Sequence, residues 1–181
     1  MKGFTYIIFN KPFEVLSQFT TDGNKTTLKE FITIPDIYPC GRLDYDSEGL
    51  MLLTDDAKFQ HKVSHPKHKM EKIYLAQVEG DITSEAVGKL IKGIEIKGGK
   101  TLPARVKRME APDWLWERSK PVRFRKEIPT SWVQIKITQG MNTQVRKMCA
   151  AVGFPCLRLI RTQIGDYKLD NLKVGEFEKI N

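Results

Sequence analysis

The segment from Gly41 to Leu50 (Gly-Arg-Leu-Asp-Tyr-Asp-Ser-Glu-Gly-Leu) constrains this chain more than any other stretch of it. It runs straight into the apolar Met51-Leu52-Leu53 and then into Thr54-Asp55-Asp56. Glycine reaches backbone angles that other residues avoid, so Gly41 and Gly49 mark tight turns. The pattern is a rigid loop feeding a short buried strand, which places the loop's side chains against a sheet. Such a loop suits a reactive carboxylate, because it exposes the side chain while the scaffold fixes it. Arg42 and Asp44 stand two residues apart on it. By spacing alone, Asp44 reads equally well as a nucleophile and as the cap of the next element.

Charge points to the substrate. The formal net charge is +8 over 181 residues, and it is unevenly placed. Thr101 to Arg161 holds 13 Lys/Arg against 4 Asp/Glu, while the other 17 basic and 18 acidic residues nearly cancel. A localised surplus marks a surface that meets phosphate, and nucleic acid is its expected partner. Three cysteines, Cys40, Cys149 and Cys156, lack a C-x-x-C spacing and read as buried reduced thiols of a cytoplasmic protein. The apolar run near Met1 is too short for a signal peptide. Leu50 to Leu53 falls far below the ~20 residues that span a bilayer, so no membrane is expected. The length suits one domain, residues 1–181.

Strands are expected at Tyr6–Phe9, Val15–Thr20, Leu50–Thr54, Ile73–Val78, Ile94–Ile96, Ala104–Met109, Trp132–Ile137 and Leu157–Ile164. A turn is expected at Asp22-Gly23-Asn24. Helices are expected after Thr27, after Thr54 or Asp55 as far as Val63, after Thr83, and after Asn142 or Thr143. Val87, Leu90 and Ile91 share one face of the third, and Val145, Met148, Cys149 and Val152 one face of the last. Ala111 to Pro129, with Trp114 and Trp116, reads as an irregular insertion. Without regular βαβ alternation, the fold class is α+β with a mixed, mostly antiparallel sheet. No exposed apolar stripe is evident, which favours a monomer.

Two further segments carry candidate chemistry. In Glu71-Lys72-Ile73-Tyr74, Lys72 and Tyr74 face one side of a strand and form either a basic, stacking wall or an ordinary half-exposed strand. In Gln139 to Met148, a glycine-led helix start carries Gln144, Arg146 and Lys147. Free N–H groups and the helix dipole there favour anions, and an arginine at the edge of the buried face can reach a carboxylate. His61, His65 and His68 resemble a metal set only superficially. Pro66 ends the helix before the third aligns, so surface histidines are expected and no metal.

Gly41-Arg42-Leu43-Asp44, Glu71-Lys72-Ile73-Tyr74, and Gln144-Val145-Arg146-Lys147-Met148 with Ala151 to Leu159 occur in this order along the chain. Together they resemble the three motifs of the RNA pseudouridine synthases, in the branch that modifies bacterial ribosomal RNA. Asn10-Lys11-Pro12, Pro112 to Trp116, Ile128 to Trp132 and Gly165 to Leu172 are similar to members acting on the large subunit. The resemblance implies the pseudouridine synthase fold with an active-site cleft, and isomerisation of one uridine in 23S ribosomal RNA. The alternatives are another ribosomal RNA site or a non-catalytic RNA-binding assembly factor. It implies Asp44 as catalytic aspartate, Tyr74 as the residue stacking on uracil, and Arg146 as the basic partner of the aspartate. Arg42 would fill the space of the everted nucleotide, with Lys72, Gln144 and Lys147 contacting RNA. No cofactor is implied, and the N-terminal RNA-binding domain of several relatives is not expected here.

Overall fold

The computed structural model describes residues 3–21 and 23–180. Its strands and helices, in chain order, are β1 (Tyr6–Lys11), β2 (Tyr38–Pro39), β3 (Glu48–Thr54), α1 (Ala57–Ser64), β4 (Lys72–Glu79) and α2 (Ser84–Lys92). There follow β5 (Glu95–Ile96), β6 (Gly99–Lys100), β7 (Arg105–Met109), β8 (Thr130–Ile137), α3 (Gln144–Ala151), β9 (Cys156–Ile164), β10 (Tyr167–Lys168) and β11 (Phe177–Ile180). One nine-stranded sheet runs β11-β1-β3-β9-β4-β8-β7, with β2 on β3 and β10 on β9. Among the strands of the described residues, only β3 and β9 pair in parallel, through Glu48–Ile160 and Gly49–Arg161. The fold is therefore α+β, as expected, with a mixed and mostly antiparallel sheet.

Alternation along the strands divides the core. Ile7, Phe9, Met51, Leu53, Tyr74, Ala76, Val78, Val133, Ile135, Ile137 and Leu159 cluster together on one face. Leu75, Trp132 and Ile160 cluster on the other, covered by Leu115 and Trp116 of the insertion. All seven residues of β3 are buried, which is what a central strand covered on both sides requires. Gly49, the second residue of this strand, sits at φ +109°, and a side chain there would collide with the Arg161 carbonyl. Only glycine lets the two strands meet at that height.

Several expectations need correction. Val15–Thr20 is not a strand; Val15 makes a single bridge to Thr26. Ser17 in that stretch is instead spent on the loop at Leu43. Asp22 of the expected turn lies outside the described residues. Thr27 does cap a helical turn, but that turn is 3-10, Leu28–Glu30, with a capping box to Glu30. α1 is capped by Asp56, whose carboxylate accepts from Lys58 and Phe59 N–H. Thr54 and Asp55 do not cap α1. Asp55 accepts from Thr5 N–H, and the Thr54 hydroxyl donates to the Thr5 carbonyl. On α2 the buried residues are Ala86 and Leu90, while Ile91 is exposed. The strand expected at Ile94–Ile96 is only Glu95–Ile96, and it pairs with the glycine-bearing β6. Thr143 precedes α3 in the left-handed region, φ 48°, with no side-chain cap. Cys40 and Cys149 are buried and Cys156 is half-buried, all three as free thiols.

One buried ion pair ties the two faces to the insertion. Glu48 accepts two hydrogen bonds from Arg158, both 2.9 Å, and one from the Trp116 indole at 2.8 Å. Arg158 also donates to the Trp116 carbonyl. Both charged groups are almost fully enclosed.

Candidate active site

The loop from Gly41 to Ser47 is fastened at nearly every residue. Cys40 N–H donates to the Leu52 carbonyl at 2.7 Å. Arg161 donates to the Arg42 carbonyl at 3.4 Å and to the Leu50 carbonyl at 2.9 Å. Leu43 N–H donates to the Ser17 hydroxyl, which donates back to the Leu43 carbonyl. The Asp44 carbonyl accepts from Ser47 N–H at 3.0 Å, closing a tight turn. The Tyr45 carbonyl accepts from Glu14 N–H and from the Lys11 ammonium. Arg146 donates to the Asp46 carbonyl at 2.7 Å. A loop so bound holds its free side chains in fixed directions.

The Asp44 carboxylate is the exception: it makes no ion pair or hydrogen bond among the described residues, and it faces a cleft. That cleft has a volume of about 620 Å³ and is lined by Asp44, Arg42, Tyr74, Lys72, Gln144 and Arg161, among others. Tyr74 on β4 lies directly opposite Arg161 on β9, so both project from the same face of the sheet. They are 9% and 4% exposed. Val63 and Ser64 of α1 and the turn from Gly140 to Thr143 form the rim.

Five of the seven residues singled out from sequence thus line one cleft: Asp44, Tyr74, Arg42, Lys72 and Gln144. Arg146 and Lys147 do not line it. The expected pairing of Arg146 with Asp44 is corrected by the structure. Val145 faces the core, so Arg146 points under the loop, where it meets Asp46 at 3.6 Å, the Ser47 hydroxyl and the Cys156 carbonyl. It braces the loop from behind. Lys147 points to the Lys97 carbonyl. Gln144 is satisfied internally by Met141 N–H and the Gln139 side chain, and works as a strut of the rim. The three histidines do gather, with ring centroids 4.6, 5.6 and 6.2 Å apart, on an exposed surface. Among the described residues no group of His, Cys, Asp or Glu could hold a metal ion.

Sequence reasoning passed over Arg161, Ser17 and Lys11. Arg161 carried a signal: a charged residue inside the apolar run of β9 must be paired if it is buried. Lys11 likewise sits in a buried strand. It is fully enclosed, and its ammonium donates to the Pro12, Val15 and Tyr45 carbonyls. Burial pushes its pKa down to about 7, against the pull of Glu48, Asp46 and Asp44. Lys72, in the cleft, is pushed down to about 8 by burial and by the Arg161 charge.

The Lys11 shift has a sign that can be tested. Its folded pKa lies below the ordinary 10.5, so between pH ~7 and ~10.5 the unfolded chain binds the extra proton. The charged form therefore costs stability below pH 7, and that cost is relieved as pH rises. Relative to Lys11→Met, wild-type stability should climb between pH 7 and 9 by up to about 1.4 kcal/mol per pH unit. Urea titrations of both proteins across that range read the slope; parallel curves would refute it.

Known proteins agree with this architecture. The family model described as RNA pseudouridylate synthase matches residues 5–151. The chain is 50% identical over 174 residues to ribosomal large subunit pseudouridine synthase E of Vibrio parahaemolyticus, covering 96% of this chain and 73% of that one. It is 46% identical over 173 residues to the protein of the same name from Xanthomonas campestris, covering 94% and 92%. A crystal structure of a pseudouridylate synthase superposes with a TM-score of 0.80 at 28% identity, covering all of this chain and 72% of that one. The matched span contains the Asp44 loop, the Tyr74 strand and the helix behind them, and the shared fold extends to the strand that carries Arg161. This chain accordingly belongs to the RNA pseudouridylate synthases, enzymes that isomerise uridine in RNA.

Proposed function

We propose that this enzyme converts a single uridine of large-subunit (23S) ribosomal RNA to pseudouridine, with Asp44 as the reactive carboxylate. The observation that carries this reading is the convergence of Asp44, Tyr74 and Arg161 on one cleft. The reaction breaks the N1–C1′ bond and forms a C5–C1′ bond; C5 loses a proton and N1 gains one. Nothing else enters or leaves, so these side chains and a water-poor pocket are enough. Asp44 acts on the ribose, where positive charge develops as the base departs. Tyr74 packs against the uracil ring and lies within reach of its mobile protons. Arg161, held by the Arg42 and Leu50 carbonyls, places a fixed positive charge in the same cleft as the carboxylate. Lys72 and Arg42 face the RNA backbone, and the Arg42 side chain, exposed at the rim, suits the gap left by the everted nucleotide.

Eversion costs a few kcal/mol, which phosphate contacts along the basic surface offset. Affinity should therefore fall steeply as salt rises. The relatives named for the large subunit support that RNA as the substrate. No described helix is long and apolar enough to cross a membrane. A cytoplasmic, monomeric, single-domain enzyme is part of the same proposal.

Pseudouridine mapping on a deproteinised large-subunit rRNA transcript tests both substrate and site. Wild-type protein should convert one uridine. Arg161→Gln should slow single-turnover conversion by on the order of 10²-fold, the scale for losing one charge-stabilising donor. Arg146→Gln should slow it less than about tenfold, since Arg146 acts only through the loop. The reverse ranking would return the counter-charge role to Arg146.

A further inference from the structure

We propose that the insertion from Ala111 to Pro129 is a second RNA-binding element, whose tip stacks Phe124 on an unpaired base outside the catalytic cleft. Phe124 is 88% exposed, the most exposed of the large apolar side chains among the described residues. Arg123, Arg125 and Lys126 flank it directly. An aromatic ring offered to solvent between cations matches the chemistry of single-stranded RNA, with a base on the ring and phosphates on the charges.

The tip is presented by a well-anchored base. Arg118 lies over the Phe13 ring at 4.1 Å and donates to the Leu157 carbonyl. Lys120 pairs with Glu14 at 2.7 Å, and Arg125 with Glu79 at 3.7 Å. Leu115 and Trp116 are packed under the sheet. Glu79 ends β4 five residues beyond Tyr74, roughly 16 Å at strand spacing, so the base held at Phe124 is not the target uridine. Two acidic residues lie near the tip: Glu79 is taken up by Arg125, and Arg123 and Lys126 together outweigh Glu127.

This inference rests on the RNA substrate proposed above, and its test separates the two. Binding of the same large-subunit rRNA transcript is measured for wild type, Phe124→Ala, Phe124→Leu, Phe124→Trp and the Arg123→Ala/Lys126→Ala pair. Phe124→Ala should weaken binding about tenfold with an unchanged melting temperature and an unchanged single-turnover rate at saturating RNA. Phe124→Trp should bind as wild type, and Phe124→Leu should not rescue. The charge variant should reduce the salt slope by about two, whereas Phe124→Ala leaves it alone. Equal binding by wild type and Phe124→Ala overturns the proposal. So does rescue by leucine, or a defect seen only on ribosomal particles, which would mean a protein contact. If wild type forms no pseudouridine in this transcript, the substrate reading fails, while the stacking comparison can still be read.

Discussion

Asp44→Asn abolishes pseudouridine formation, lowering the single-turnover rate by at least ~10²–10⁴-fold, yet leaves RNA affinity within a few fold. The amide has nearly the same shape as the carboxylate and sits on a loop fastened at Arg42, Leu43, Tyr45 and Asp46. The geometry of the cleft therefore survives the change, and only the charge and basicity are lost. Losing one positioned proton-transfer group costs that range, and losing a nucleophile costs at least as much. RNA affinity is dominated by phosphate contacts with cations, to which a single neutralised acid contributes little. The measurement pairs quantitative pseudouridine mapping with a binding assay on one transcript. Substantial activity in this variant would refute a carboxylate mechanism. A parallel loss of binding would instead indicate that Asp44 holds the fold or the RNA.

Glu48→Ala lowers stability by about 3–5 kcal/mol and the melting temperature by roughly 10 °C. The Arg158 guanidinium and the Trp116 indole N–H would then be left without their acceptor inside a closed pocket. The cost is that of an orphaned buried charge, and is much larger than the net value of the pair. Glu48→Leu combined with Arg158→Met should recover most of the loss, because no charge remains to be solvated. Thermal melts of the single and double variants measure both effects. A single-variant loss below about 1 kcal/mol would mean that water enters and the pair is not sealed. Because Trp116 belongs to the insertion and Glu48 follows the Asp44 turn, the single variant also loosens the support of both.

Much of this was legible from the chain, and the misses have physical causes. The strands carrying Leu50 to Thr54 and Ile73 to Val78 declare themselves by burial and alternation, and each was found within two residues of its ends. The order of the three motifs located Asp44 and Tyr74. Long-range partner choice was not legible. Arg146, Arg158 and Arg161 are all arginines near the end of a basic stretch, and spacing does not say which reaches the loop's front. That depends on the register of β9 against β4, which shows a bulge between Ile73 and Tyr74. Tyr74 faces Arg161 only because of that register. The strand expected at Val15–Thr20 failed for a related reason. Its polar residues had a tertiary use, with Ser17 gripping Leu43, that outweighed local preference for a ladder.

The parallel seam between β3 and β9 joins segments more than a hundred positions apart. Contacts so distant along the chain form late, because the intervening loop must first be closed. A nascent polypeptide that has emerged as far as Gly140 already carries Asp44 and Tyr74, but it has neither the middle strand of its sheet nor the guanidinium facing that tyrosine. The cleft that holds both residues is therefore incomplete until β9 has been made and seated between β3 and β4.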